Sequence, residues 1–103
     1  MTKELQNALG LARKAGKIVY GATVMDAVRH KQCSLVIIAS DASARTTKQF
    51  SNKCDFYHVP YRIVENSAAI SYSIGKFNIM TLAITDSHIA QMVLEIIDRN
   101  EVN

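Results

Sequence analysis

One short segment limits the fold of this chain more than any other, a run of four apolar residues, Leu35–Ile38, that lies between polar stretches. Three of the four residues are β-branched, and such a run is typical of a strand that is buried on both faces. A strand covered on both faces needs helices on both sides of its sheet. The run therefore favours an α/β fold.

Segments with helical spacing alternate with short strand-like segments along the chain. The predicted order is a helix over about 2–15, a strand over 18–20, a helix that opens at Gly21, the strand over 35–38, a helix after the turn at 40–43, a strand over 61–64, a short helix capped by Ser67 and stopped by Gly75, a strand over 81–85 and a final helix capped by Asp86 or Ser87. Strict alternation predicts one domain over residues 1–103, a three-layer α/β/α sandwich around a four-stranded mixed sheet.

Composition and charge exclude several classes of protein. The hydrophobic share of 49% and the charged share of 20% are ordinary for a soluble domain. Because no window has the apolar length of a membrane span and the N-terminus lacks an apolar signal core, we expect a cytoplasmic protein without a membrane partner. Residues 1–62 carry ten Lys and Arg against four acids, whereas residues 63–103 carry two against five. This asymmetry suggests a basic face for an anionic partner.

The sequence contains no recognisable active-site motif, since it lacks a P-loop, a dinucleotide fingerprint and a nucleophile elbow. No histidine has metal-ligand spacing to a second ligand. Cys33 and Cys54 are interpreted as structural thiols, although pairing of either with a histidine in the fold stays open. Asp41 and Asp86 each follow a strand and precede a helix, which fits helix capping or paired acid chemistry. We predict a non-enzymatic protein with no cofactor and no metal ion.

The segment Leu9–Gly21 is predicted to form a basic corner. Arg13 and Lys14 fall in the last turn of the first helix, and Lys17 follows a glycine expected to be left-handed. Such a corner suits a phosphate backbone, and ordinary helix capping explains the same residues. Lys76 and Phe77 form a second candidate, because a cation can meet phosphate while an aromatic ring stacks on an unpaired base. The alternative there is a solvated surface with Phe77 tucked under its loop.

The chain resembles the L7Ae/L30e family of ribosomal RNA-binding proteins, in its short bacterial YlxQ-like branch. The resemblance covers about Leu9 to Ile97, and the segments that carry it are LGLARKAGKIVYG, LVIIASDASARTTKQFSNKC, YHVPY and the ITD at 84–86. It implies an α/β/α sandwich that binds a kink-turn, a sharply bent RNA helix with tandem sheared G·A pairs and one extruded nucleotide.

The resemblance also implies which residues contact RNA. The family's Gly-x-Asn-Glu-x-x-Lys motif corresponds to Gly21, Ala22, Thr23 and Asp26, where only the glycine is kept and a carboxylate stands near the lysine position. A carboxylate there would repel phosphate. The remaining implied contacts are Ser43, Thr47 and Ser67 for the extruded nucleotide, and Lys76, Phe77, Asn78 and Ile79 in the loop before the last strand.

The sequence therefore predicts a monomeric protein that binds structured RNA by shape and phosphate contacts, with ribosome association as a further expectation. The first alternative is a protein-interaction module on the same fold, which the altered motif after Gly21 favours. The second is a thiol-dependent enzyme, which would need a Cys33 or Cys54 thiolate of lowered pKa.

Overall fold

The computed structural model describes residues 1–101, and in them helices and strands alternate as predicted. The elements are α1 (Lys3–Lys14), β1 (Ile18–Tyr20), α2 (Thr23–Arg29), β2 (Leu35–Ile38), α3 (Ala44–Tyr57), β3 (Tyr61–Ile63), α4 (Ser67–Ser73), β4 (Thr81–Ile84) and α5 (Ser87–Glu101). Two strands, β3 and β4, end one residue earlier than expected. None of the helices described is long and apolar enough to cross a membrane.

The four strands form one mixed sheet in the order β1-β4-β2-β3. Strand β2 is parallel to β3, while β4 is antiparallel to both β1 and β2. The strands β1, β2 and β3 therefore all point the same way, and their carboxyl ends lie beside the amino end of β4. The predicted mixed sheet is confirmed.

Strand β2 separates two apolar layers, as its sequence predicts. Leu35 and Ile37 pack with α1, α4 and α5, whereas Val36 and Ile38 pack with α2 and α3 around Cys54. All four β2 side chains are fully buried. Burying each large aliphatic side chain contributes about 1.5–3 kcal/mol, so this strand anchors both layers of the sandwich.

Polar side chains cap the N-termini of three helices through hydrogen bonds. The side chains of Thr2, Ser43 and Asn66 accept hydrogen bonds from backbone amides in the first turns of α1, α3 and α4. Asn66 therefore caps α4, and the expectation that Ser67 does so is wrong, because Ser67 is already the first helical residue. Asp86 accepts from the amide of Ile89 at 2.8 Å, which confirms its capping role at α5.

Candidate functional site

The loops at one end of the sheet form a continuous rim, which we define as residues 20–23, 39–43, 64–67 and 76–80. These segments meet because the carboxyl ends of three parallel strands face the amino end of the antiparallel β4. Backbone hydrogen bonds join neighbouring loops, from Gly21 N to Thr81 O at 3.2 Å and from Ala39 N to Met80 O at 2.8 Å. Most of the predicted site residues lie on this rim or one turn from it.

The first part of the rim is the turn from β1 into α2. Gly21 has a φ of +69°, and a Cβ added to it would meet nothing within 4 Å, so backbone conformation and not space calls for glycine. Thr23 donates its hydroxyl hydrogen to the carbonyl of Tyr20 at 2.8 Å. Helix α2 begins at Thr23, two residues later than predicted, and Ala22 at its N-cap offers no side-chain acceptor. Gly21, Ala22 and Thr23 are all exposed.

Asp26 lies exposed in the first turn of α2. A carboxylate in that position interacts favourably with the positive end of the helix dipole. Asp26 therefore has a structural role that is independent of any ligand. It also puts a negative charge one turn from Gly21, on the side of the molecule where the predicted RNA contacts gather.

Ser43 and Ser67 lie on adjoining rim loops, and both hydroxyls are engaged within the protein. Ser43 Oγ accepts from the amide of Thr46 at 3.1 Å. Ser67 donates from its amide and its hydroxyl to the carboxylate of Asp41, both at 2.8 Å. These two donors hold the pKa of Asp41 below its usual range. The expectation that Asp41 caps the helix it precedes is wrong, because Ser43 caps α3. Asp41 instead accepts from the first amide of α4, across the rim. Thr47, one turn into α3, is half-buried.

The loop before β4 carries the most exposed aromatic ring on the rim. Phe77 is 89% exposed, so the alternative that it is tucked under its loop is wrong. The neighbouring Asn78 is exposed with a φ of +57°. The ammonium group of Lys76 lies 5.7 Å from the centroid of the Tyr20 ring, a cation–π distance that ties this loop to the end of β1.

Ile79 does not lie at the surface, so the RNA contact implied for its side chain is wrong. It is only 7% exposed within the core beside α4, and its amide donates to Ser71 Oγ at 2.8 Å. The next residue, Met80, is 39% exposed instead. Successive side chains along an extended segment point in opposite directions, so a shift of one residue changes which side chain reaches solvent.

The predicted basic corner is divided by β1. The amide of Thr85 donates to Lys17 O at 2.8 Å, whereas the amide of Gly21 donates to Thr81 O. Thr81 begins β4 and Thr85 directly follows its last residue, so the two lie about 13 Å apart at strand spacing. Lys17 therefore lies at the end of the sheet opposite the rim, and its expected place beside Gly21 is wrong.

Arg13 and Lys14 lie in a groove of about 480 Å³ beside the end of α4. The groove also includes Ser73 and Gly75, and Gly75 directly precedes Lys76. These two cations therefore lie near the rim, next to the loop that follows α4. No local feature of the sequence indicates this proximity. The sequence analysis does not single out the exposed ring of Tyr72 on α4. It is 75% exposed, and its position beside the inward-facing Ile70 and Ser71 is the only sequence signal for it.

The two thiols are poorly suited to nucleophilic chemistry. Burial raises the pKa of Cys33, and burial together with nearby negative charge raises the pKa of Cys54 to about 12. A thiol needs a lowered pKa to attack a substrate at neutral pH. The thiol-dependent alternative is therefore not supported. Within residues 1–100, no group of three or more His, Cys, Asp or Glu side chains is arranged to hold a metal ion.

Comparison with known sequences finds relatives over nearly the whole chain. A model of the ribosomal protein L7Ae/L30e/S12e/Gadd45 family matches residues 3–93. The RNA-binding protein YlxQ of Bacillus subtilis (strain 168) is 38% identical over 91 residues, which are 87% of this chain and 91% of that protein. The RNA-binding protein YlxQ of Enterococcus faecium is 33% identical over 98 residues, 93% of each chain.

Solved structures share the same fold. A protein of unknown function from Bacillus halodurans superposes with a TM-score of 0.91 at 31% identity, over 94% of this chain and 99% of that one. A 15.5kD RNA binding protein from Giardia lamblia gives a TM-score of 0.78 over 96% of this chain and 86% of that one. The second match is 23% identical, so it is a likeness of fold alone.

Proposed function

This chain belongs to the ribosomal protein L7Ae/L30e/S12e/Gadd45 family, and we propose that it is a non-enzymatic protein that binds structured RNA through its rim. The observation that carries the proposal is the rim itself. It brings four separate loops together beside an exposed aromatic ring, Phe77, and a cation, Lys76. The names of the two sequence relatives, both RNA-binding proteins, support the same conclusion.

Shape and phosphate contacts would provide most of the recognition. The exposed turn at Gly21 lets RNA backbone approach closely, because no side chain covers it. Lys76 would meet a phosphate, while Phe77 would pack on an unstacked base or in the shallow minor groove. A kink-turn suits this arrangement, since it combines a sharp bend with an extruded nucleotide. Ser43 and Ser67 line the place where that nucleotide would enter.

The carboxylate of Asp26 makes the surface beside the rim less favourable to RNA. This carboxylate is exposed one turn from Gly21 and would face the phosphate backbone. We therefore propose that RNA binds more weakly at this contact than it would if a cation stood there. The affinity would then depend more on Lys76 and Phe77.

The test compares a kink-turn RNA with a plain duplex of the same length in gel-shift titrations at low salt. We expect tighter binding of the kink-turn, and an affinity that falls as salt rises because bound phosphates release counterions. Lys76→Ala should reduce the slope of log affinity against log salt by about 1. Lys31→Ala is the matched control, because Lys31 is exposed beyond the far end of α2. Equal affinity for both RNAs would remove kink-turn recognition from the proposal.

A protein-interaction module is the second candidate. The carboxylates of Asp41, on the rim, and of Asp26, one turn from it, favour this candidate. If neither RNA binds at low salt, and a partner recovered with the protein survives nuclease treatment, this candidate replaces the first. We also propose that the protein acts as a cytoplasmic monomer that associates with ribosomes. Size-exclusion chromatography and sedimentation with ribosomal particles test those two statements.

A further inference from the structure

A second groove of about 480 Å³ lies on the outer side of α4, next to the rim. Its walls include Ala68, Tyr72, Lys76, Phe77 and Asn78. The rings of Tyr72 and Phe77 are 75% and 89% exposed, so neither has a packing partner that covers it. Two exposed aromatic rings on one groove form a surface on which flat, apolar ligands can stack.

This aromatic groove adjoins the basic groove that contains Arg13 and Lys14. Gly75 lines both, so the two grooves meet at the end of α4. Lys76, which follows Gly75, reaches over Tyr20 at the end of β1 and so links the aromatic groove to the rim. The rim, the aromatic groove and the basic groove therefore form one continuous surface.

Along the two grooves, the charge has one sign. Three cations, Arg13, Lys14 and Lys76, line the two grooves, and none of the described residues lining either groove is acidic. The groove between α1 and α5 differs, because Glu4 and Glu95 line it. The joined pair of grooves is thus complementary to a polyanion, and its aromatic half favours one with exposed flat rings.

We propose that a single-stranded RNA segment leaves the structured RNA at the rim and runs along these two grooves, with a base stacked on Tyr72 and Phe77 and phosphates beside Arg13 and Lys14. This inference rests on the proposed function. Aromatic platforms beside a basic groove are the usual means of holding single strands, because every base offers a face for stacking. A duplex does not fit this surface, since its bases are already stacked on one another.

The experiment compares a kink-turn RNA with the same RNA extended by four unpaired nucleotides, at its 5′ end or its 3′ end. With the unaltered protein, we expect one of the extensions to lower Kd by about tenfold, the contribution of about one stacked base. Tyr72→Ala should abolish that gain and leave the affinity for the unextended RNA unchanged. Tyr72→Phe keeps the ring and should retain the gain.

Two controls separate the grooves from general effects of aromatic or basic surface. Phe56→Ala removes a ring that is 72% exposed on α3, and it should leave the gain intact. Lys14→Ala should reduce the salt slope for the extended RNA by about 0.7, the value for one single-stranded phosphate contact. Lys31→Ala should leave that slope unchanged.

The outcomes separate this inference from the proposed function. If the unextended kink-turn binds but neither extension adds affinity, the inference is overturned and the proposed function stands. The same holds if Phe56→Ala abolishes the gain as fully as Tyr72→Ala does. If no RNA binds at all, both are overturned. Circular dichroism melts of each variant confirm that the compared proteins are folded.

Discussion

Replacing Asp26 by lysine is expected to tighten the binding of a kink-turn RNA by about tenfold at low salt. Asp26 is exposed, so its interactions with an approaching phosphate are those of charges in water. At a separation of about 6 Å in that medium, two unit charges interact by about 0.7 kcal/mol. Changing an acid to a base reverses a repulsion of this size, which amounts to about 1.4 kcal/mol or a factor of ten.

The same reasoning predicts a graded series. Asp26→Asn removes the repulsion without adding attraction and should tighten binding by about threefold. Both substitutions remove a carboxylate from the first turn of α2, where it complements the helix dipole, at a cost of about 0.3–1 kcal/mol in the free energy of unfolding. Thermal melts should therefore show a small loss of stability together with the gain in affinity.

The assay is a set of equilibrium titrations at about 50 mM and 200 mM salt, with Asp55→Lys as the matched control. Asp55 is exposed near the end of α3, at the end of the sheet opposite the rim. Asp55→Lys changes the net charge by the same amount as Asp26→Lys does. If Asp26→Lys leaves Kd unchanged, or if Asp55→Lys tightens binding equally, Asp26 does not face the RNA.

Three further perturbations test the fold. Asp41→Asn should lower the free energy of unfolding at pH 7. Because the hydrogen bonds from Ser67 depress the pKa of Asp41 in the folded protein, its carboxylate stabilises the fold at pH values above its unfolded pKa. This stabilisation is lost as the pH falls below about 4. A difference between the two proteins that persists unchanged at pH 2 would contradict this. Cys33 and Cys54 should not react with a thiol reagent at pH 8 until denaturant is added, since burial keeps both protonated; rapid labelling of the native protein would refute it. Ile37→Ala should cost about 2–5 kcal/mol in urea unfolding, because its side chain is fully buried. A cost below about 1 kcal/mol would mean that β2 does not anchor the layer formed by α1, α4 and α5.

Most of the secondary structure could be predicted because its causes are local. Helix α1 spans Lys3–Lys14, and the apolar period over about 2–15 predicts it closely. Strand β2 has the predicted bounds, because a short run of β-branched residues strongly favours a strand. The start of α4 is not fixed by residue type alone, because Asn66 and Ser67 are adjacent residues that can both cap a helix. Only the hydrogen bond from the amide of Ala69 to Asn66 distinguishes them.

The sequence alone determined the order of elements, the α/β class and the layers on both faces of the sheet, because periodicity and capping act over a few residues. Only the tertiary structure decided the strand order, and with it the contents of the rim. Lys17 and Gly21 are four positions apart yet lie at opposite ends of β4. Asp41 and Ser67 are distant in sequence yet share two hydrogen bonds. Strand direction sets these distances, and it depends on pairing between segments that the local sequence does not specify.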